Sequence, residues 1–459
     1  MTTLQNGDRK ISIKLGTMSS ETKTITTKET TYIVTLPTII CNNEEDANKI
    51  QTTVDEFVSN LVKNIIWERK IRMSRKLASV QRIKAIKPIE GADKIEIVQV
   101  LNWDCVAKKG EYQVGDTVIY FEIDSLLPDI PAFEWLKGSS WSQKLNKYKI
   151  STHKFRGQIS QGLVMPITQL GELLEQIKPE GYDCLPSWMY MENGFNTEDW
   201  IDLDGKFALE GVDLTETLNI EKYEPPVSNG PLGETISHEW YVPKTDEERI
   251  QVCADNVLPE YIGKTDWYAS IKLDGTSCTV GLFEDAFLIG GRNQWYKGPN
   301  MYTETVKKYG DIEKHLRDYQ KLTGKYIVFQ GELCGPGIQS NKLGLKEKEW
   351  YIFNVFISDT GKMDSYEKVD LLRMLNFCDD FGLNHVPIIE HDYKFSFDGY
   401  SNNDEIVNGL LSYVDNFKYR TYFEDASPSQ IAEGAVFRKN DMTNSFKVVS
   451  NKFLLKGGE

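Results

Sequence analysis

The chain reads as an α+β protein in which an all-β barrel precedes a larger mixed domain. Three observations predict this. Residues 76–168 hold short apolar and β-branched runs broken by turn residues. From about residue 240 onward, strand-like runs alternate with helical stretches such as 301–322 and 364–382. Between the two lies Tyr223-Glu224-Pro225-Pro226-Val227-Ser228-Asn229-Gly230-Pro231, which cannot be regular structure. At 459 residues the chain exceeds one ordinary core, so two or three domains are expected.

The elements follow in order. Residues 11–15 and 32–36 alternate with period two, so 1–75 should open with β-hairpin material. Ile50, Val54, Phe57, Leu61 and Ile65 then recur at helical spacing, and Asn42 or Asn43 can cap the amphipathic helix they predict. Residues 76–170 form the barrel, with strands over 80–86, 95–101, 104–107 and 118–122. Gly91-Ala92-Asp93-Lys94 and Gly115-Asp116 supply turns. Residues 171–240 read as an acidic linker, and 241–459 as the mixed domain.

Composition is that of a globular protein, 40% hydrophobic and 26% charged. No run approaches the roughly 18 apolar residues that a membrane span requires. The N-terminus lacks a signal-peptide core, so an intracellular location (cytoplasm or nucleus) is expected. The seven cysteines show no Cys-x-x-Cys pair and so no zinc signature. The net charge of −15 argues at first against nucleic acid, but local charge decides. Residues 61–90 hold nine Lys/Arg against two Glu, and 141–160 hold five Lys/Arg and no acid. Each run suits a phosphate-facing surface or a solvated face. Lys147, Lys149, Lys154 and Arg156, interleaved with Tyr148 and Phe155, fit the former.

The chemistry centres on Ile271-Lys272-Leu273-Asp274-Gly275-Thr276-Ser277, set between two apolar runs. A lysine on a tight strand-to-strand turn can attack a nucleotide α-phosphate, provided that its amine is neutral. Burial and nearby cations would favour that form. Taken alone, Asp-Gly is also ordinary turn chemistry. The motif has company, however. Gly291-Arg292-Asn293, Gln330-Gly331-Glu332-Leu333-Cys334-Gly335, Trp350-Tyr351-Ile352-Phe353-Asn354, Glu433-Gly434-Ala435-Val436-Phe437 and Ser445-Phe446-Lys447 follow in order.

This series resembles the ordered motifs of the covalent nucleotidyltransferases, namely RNA ligases, DNA ligases and mRNA capping enzymes. Gly335-Pro336-Gly337-Ile338-Gln339-Ser340-Asn341 and Pro243-Lys244-Thr245-Asp246-Glu247-Glu248-Arg249 resemble the Deinococcus–Naegleria type of ATP-dependent RNA ligase. The resemblance covers about residues 76–459. It implies an N-terminal OB-type barrel and a catalytic domain of two antiparallel sheets flanking a nucleotide pocket. It also implies ATP and Mg²⁺ or Mn²⁺ as cofactors, and a monomer. The substrate it implies is RNA or an RNA-containing duplex with 5′-phosphate and 3′-hydroxyl ends.

Roles follow from the resemblance residue by residue. Lys272 is the nucleophile. Asp274 and Glu433 serve a water-coordinated metal. Arg292 spans the ribose and α-phosphate, and Glu332 accepts hydrogen bonds from ribose hydroxyls. Phe353, or its neighbour Tyr351, stacks on adenine, although an aromatic in so apolar a strand also suits a core. Lys447 holds the α-phosphate, while Lys244 and Glu247 line the adenine side. The ligases usually carry Lys-x-Lys in the last motif, whereas here Lys447 is followed by Val448-Val449, leaving Lys452 as a candidate substitute. The alternatives are a DNA ligase or capping enzyme, and a non-catalytic binding module. DNA ligases and capping enzymes place an OB domain after the last motif, and only 12 residues follow Lys447. The complete residue set argues against the binding module.

Overall fold

A computed structural model describes the strand backbones 2–6, 9–13, 21–26 and 31–36, together with residues 75–177, 210–223, 234–236, 242, 247–292, 294–362, 365–389 and 395–456. The amphipathic helix expected within 44–72 lies outside the described residues, as does Lys244. The N-terminal strands form two hairpins. Arg9–Ile13 pairs with Thr2–Asn6, and Thr31–Leu36 pairs with Glu21–Thr26. The two alternating runs of the sequence thus take separate partners.

The barrel is built from β1 (Ala78–Pro88), β2 (Ile95–Val100), β3 (Trp103–Lys108), β4 (Thr117–Phe121), β5 (Thr152–Phe155), β6 (Gln158–Gln161) and β7 (Leu163–Pro166). Its main sheet runs β7-β4-β1-β2-β3. The long strand β1 pairs with β4 along its first half and with β2 along its second, and a bulge between Ile83 and Ala85 marks the handover. A bulge bends its strand and sharpens the twist, which lets the sheet curl. The curl brings β3 against β6, where the Val106 N–H donates to Ser160 Oγ at 2.9 Å.

The stretch expected as an acidic linker contributes to this barrel. Leu214, Leu218 and Ile220 are buried with Val80, Phe121 and Leu173, and Glu221–Lys222 pairs with residues 125–126. Three apolar residues in a charged segment give no periodic signal, which is why it reads as a linker.

The mixed domain has two antiparallel sheets. The small one is β8 (Trp267–Lys272), β14 (Gly434–Lys439) and β15 (Ser445–Val449), in the order β8-β14-β15. The large one contains β9 (Thr276–Phe283), β10 (Ala286–Gly290), β11 (Trp295–Lys297), β12 (Tyr326–Cys334) and β13 (Glu349–Ser358). It runs Glu234–Ile236, β11, β10, β9, β12, β13, Glu367–Lys368. Helices α2 (Ile312–Thr323) and α3 (Leu371–Phe381) cover one face of it through Ile312, Leu316, Met374 and Phe377. The helical stretch 301–322 is broken at Gly310, after which Asp311 caps α2 by accepting from the Lys314 N–H. A second core, with Trp267, Ile271, Leu410, Phe437 and Val448, is enclosed by α1 (Ile250–Val257), α4 (Asn403–Val414) and the inner face of the small sheet.

Barrel and mixed domain meet over a packed surface. Val449, at the end of β15, and Leu454, on the short helix α5 (Asn451–Leu455), are buried among Ile83, Trp103 and Tyr120 of the barrel. The buried Arg249 guanidinium pairs with Asp124 at 3.2 Å, and the Asn102 N–H donates to the Gln251 carbonyl. Val449 is 1% exposed, so a lysine there would be taken out of water. Val449→Lys is expected to cost on the order of 3 kcal/mol of stability. Urea unfolding would show this as a lowered midpoint, and an unchanged midpoint would mean that the seam is open to solvent.

Candidate active site

The turn Leu273-Asp274-Gly275 carries the chain from the small sheet into the large one, since β8 ends at Lys272 and β9 begins at Thr276. The lysine motif therefore sits where the two sheets cross. Gly275 is required here by close approach. A Cβ at this position would lie 2.5 Å from the Leu333 carbonyl and 2.8 Å from the Glu332 side chain. Gly434, paired with Lys272 across the sheet, has φ +152°, and a Cβ on it would lie 2.0 Å from the Val448 carbonyl. Both glycines let strands that carry functional side chains come into contact.

Four of the expected residues converge at this crossing. Lys272 Nζ is 2.6 Å from Glu433 Oε1. Asp274 Oδ2 is 2.6 Å from Lys342 Nζ. Glu332 lies beside Ser277 in the register of β9 and β12, and its carboxylate accepts from the Gly275 N–H. Alternation along β8 points Ile271 and Ala269 into the core and leaves Ser270 and Lys272 on the opposite face. Ser270 aligns with Val436, and Val436 with Lys447, so the buried Lys447 shares that face.

The electrostatics are dominated by buried negative charge. Burial first, and then repulsion from Glu433, raises the Asp274 carboxyl to about 6, even with Lys342 pulling it down. Burial raises Glu332 to about 8, with Glu433 and Asp274 adding to the effect of burial and Lys272 opposing it. Glu332 therefore holds its proton to a higher pH than an ordinary carboxyl. The surroundings of Lys272 differ from expectation. Its nearest charge is a carboxylate, not a cation, and a carboxylate favours the ammonium form.

The remaining candidates divide. Phe353 is half-buried at the bulge where β13 gains a residue against Gln330 and Gly331, and it packs in part against the core that holds Tyr351. Tyr351 is buried, donates its hydroxyl to Glu349 at 2.6 Å and packs edge-on to Phe423, so it is part of the core. Arg292 is half-buried in the loop between β10 and β11. Glu247 is committed to Arg438, accepting from Nε at 3.1 Å and Nη2 at 2.9 Å. Burial opposes its charge, but the guanidinium and Lys368 hold its carboxyl below the ordinary range. Lys452 is exposed on α5, with its backbone N–H on Asp415. The position that would carry a second lysine, Val449, is occupied by the barrel seam.

Two residues of the crossing escaped the sequence reading. Lys342 follows Gln339, Ser340 and Asn341, all three with positive φ (41°, 61° and 47°), and its ammonium lies 4.1 Å over the Phe453 ring. Its signal was the glycine-rich loop it terminates. Tyr419 contacts the lysine turn through its phenol, and nothing in the sequence distinguishes it from the other tyrosines.

Among the described residues no group of three or more Asp, Glu, His or Cys is arranged to hold a metal ion. The donor set here is Asp274 and Glu433, two oxygen ligands of the kind a hard divalent cation takes when water completes its shell.

The order barrel, crossing and lysine face has matches among known proteins. An OB-fold domain model matches residues 77–167, and an RNA ligase model matches residues 265–452. Residues 265–452 thus form an RNA ligase domain. Its structure is similar to that of the Naegleria gruberi RNA ligase over most of both chains. An apo lysine-to-alanine mutant of that enzyme is 27% identical, covering 83% of this chain and 99% of its own, with a TM-score of 0.64. A mutant with ATP and Mn is 27% identical, covering 84% and 98%, with a TM-score of 0.65. The form with PPi is 27% identical, covering 84% and 99%, with a TM-score of 0.63. Residues replaced in these and other structures of that enzyme include a lysine and an aspartate two apart, and a glutamate and a lysine fourteen apart. Lys272 and Asp274, and Glu433 and Lys447, have the same spacings in this ligase. A search of the curated proteins gave no match.

The raised Glu332 carboxyl makes this ligase sensitive to pH. A carboxyl whose folded value exceeds its unfolded one holds its proton more tightly when folded. Stability is then lost as pH rises from the ordinary value of 4.5 towards about 8. Glu332→Gln should remove that loss, a gain over wild type on the order of 3 kcal/mol at high pH and little at low pH. Urea midpoints of both proteins at about pH 5 and about pH 8.5 would test it. A constant difference between the two proteins would contradict the assignment.

Proposed function

We propose that this ATP-dependent RNA ligase joins 3′-hydroxyl and 5′-phosphate ends through lysyl-AMP and an adenylylated 5′ end, at nicks in duplexes, as an RNA-repair enzyme. The observation that carries the reading is the pairing of Lys272 with Glu433 at 2.6 Å in a pocket that also holds Asp274, Glu332 and Lys447. Partition into the domains 1–75, 76–170, 171–240 and 241–459 accompanies it, with 210–223 packed onto the barrel.

The first step needs a neutral amine, and the Glu433 carboxylate is placed to accept the proton. Lys272 Nζ then attacks the α-phosphorus of ATP. A P–N bond forms, and pyrophosphate leaves with the electron pair of the broken P–O bond. Lys447 stabilises the charge developing on the α-phosphate. Arg292 spans ribose and phosphate with its planar fork. Glu332 fixes the ribose hydroxyls, and Phe353 stacks on adenine. Asp274 and Glu433 would hold Mg²⁺ or Mn²⁺, which neutralises phosphate charge. In the second step a 5′-phosphate oxygen attacks the same phosphorus and Lys272 leaves, recovering its proton. In the third the 3′-hydroxyl displaces AMP. Positioning and charge neutralisation supply most of the catalysis in each.

The test is incubation with [α-³²P]ATP and a divalent metal, followed by a denaturing gel. Wild type should carry label, while Lys272→Ala and Lys272→Arg should carry none, because arginine offers no neutral amine. Label in either variant would refute the nucleophile, and an unlabelled wild type would favour a binding module. Nicked duplexes with ribonucleotides at the 3′-hydroxyl side should be sealed faster than all-DNA nicks. Equal rates would point to a DNA ligase.

The basic run of the barrel is only partly available for RNA. Lys147 pairs with Glu221, and Lys149 lies 3.5 Å over the Tyr223 ring. The β5-β6 hairpin presents Lys154 and Phe155 outward, with Phe155 43% exposed, and the exposed Arg156 beside them donates to the Gly91 carbonyl at 2.7 Å. A stacking ring between two cations is the arrangement that grips a single strand. Lys154→Ala with Arg156→Ala should leave adduct formation intact and reduce sealing most at raised salt. Lys147→Ala with Lys149→Ala should affect sealing less. Equal loss from both pairs would show that the hairpin has no special part.

A further inference from the structure

Tyr419 begins a short 3₁₀ turn, Tyr419–Thr421, below the sheet crossing. Its phenol is fully buried. A hydroxyl has one proton to donate and two lone pairs, and this one uses all three on the backbone of the active site. It donates to the Lys272 carbonyl at 3.0 Å. It accepts from the Asp274 N–H at 3.0 Å and from the Glu433 N–H at 3.2 Å. One oxygen therefore ties the residue bearing the amine, the aspartate two positions on, and the glutamate paired with that amine. Lys272 ends β8, Asp274 lies in the turn after it and Glu433 immediately precedes β14, so the phenol adds a third link to the strand ladder and the Lys272–Glu433 ion pair.

The anchor itself is held. The Tyr419 N–H donates to the Gln430 carbonyl and the Ala432 N–H to the Phe417 carbonyl, so the segments 417–419 and 430–432 run side by side into Glu433. The ring packs near Phe423, with centroids 6.2 Å apart. Burial, with Glu433 and Asp274 nearby, raises the phenol well above its ordinary range, so the proton given to the Lys272 carbonyl is retained.

We propose that Tyr419 is a positioning residue for nucleotidyl transfer, setting the register between the Lys272 turn and Glu433 so that the amine, its carboxylate and the α-phosphate align. The proposal rests on the lysyl-AMP reading above. It predicts an effect on the rate of chemistry and not on the binding of ATP, since the phenol faces backbone and not the pocket. Misplacing a nucleophile by a fraction of an ångström to an ångström costs roughly ten- to a hundredfold in rate.

The experiment follows adduct formation from [α-³²P]ATP in single turnovers over a range of ATP concentrations, with full-length protein, well below the unfolding midpoint of each variant. Tyr419→Phe is expected to lower the maximal rate roughly ten- to a hundredfold and to leave the half-saturating ATP concentration within about twofold. Phe423→Leu removes packing from the same ring and leaves the three hydrogen bonds. It should lower the unfolding midpoint and keep the maximal rate within about twofold. Should Tyr419→Phe not fold, Tyr419→Trp takes its place, keeping aromatic bulk and an N–H donor but no acceptor, with the same expectation. A maximal rate close to wild type in the Tyr419 variant would overturn the proposal. So would a parallel loss in Phe423→Leu, which would assign the effect to bulk packing. Absence of adduct in the wild type would instead remove the lysyl-AMP reading itself.

Discussion

Buried negative charge is the constraint around which this molecule is arranged. Asp274, Glu332 and Glu433 share one crossing between two sheets, Glu433 buried and the other two half-buried. Like charges so placed repel, and two of the three respond by holding their protons above the ordinary range. The lysines around them, Lys272, Lys342 and Lys447, are the counterweight. Cations and phosphate groups are the ligands whose charge such a cluster is suited to balance.

Keeping such a cluster together demands backbone that would not otherwise approach so closely. Gly275 and Gly434 remove the Cβ atoms that would separate the strands. Gln339, Ser340 and Asn341 adopt left-handed conformations to bring Lys342 in, and the Asn341 side chain braces the loop through two hydrogen bonds to Leu345. Non-glycine residues in that region are disfavoured, and they concentrate where function over-determines the fold. The cost is borne by the apolar cores on the far sides of both sheets.

Much of this was legible in the sequence because chemistry and spacing are local properties. The barrel strands announce themselves by alternation and turns. Lys272, Asp274, Glu332 and Glu433 stand in motifs whose neighbours are glycines and β-branched runs. What remained hidden depends on tertiary contact. Leu214 and Ile220 look like isolated apolar residues in an acidic stretch until the barrel is seen to close on them. The pairing of Glu247 with Arg438 joins residues 191 apart and gives no local signal. Tyr351 and Phe353 differ by two positions, yet beside the bulge one is fully buried in the core and the other only half-buried against it. Glu433 was legible as a carboxylate of the site, but its direct contact with the Lys272 amine depends on the pairing of two distant strands.

The seam at Val449 ties the two ends of the fold together in time as well as in space. The barrel leaves the ribosome first, but Val449 and Leu454, which complete its apolar cluster, are made only after the whole catalytic sheet. Until then the barrel cluster of Ile83, Trp103 and Tyr120 lacks its last two apolar partners, an edge that invites chaperone capture or association with another nascent chain. The contact is also of very long sequence separation, which places its formation late and makes it slow. The strand that closes this gap is the one bearing Lys447. Maturation of the barrel and delivery of a phosphate-binding lysine are consequently one event, and a chain interrupted before it would have neither.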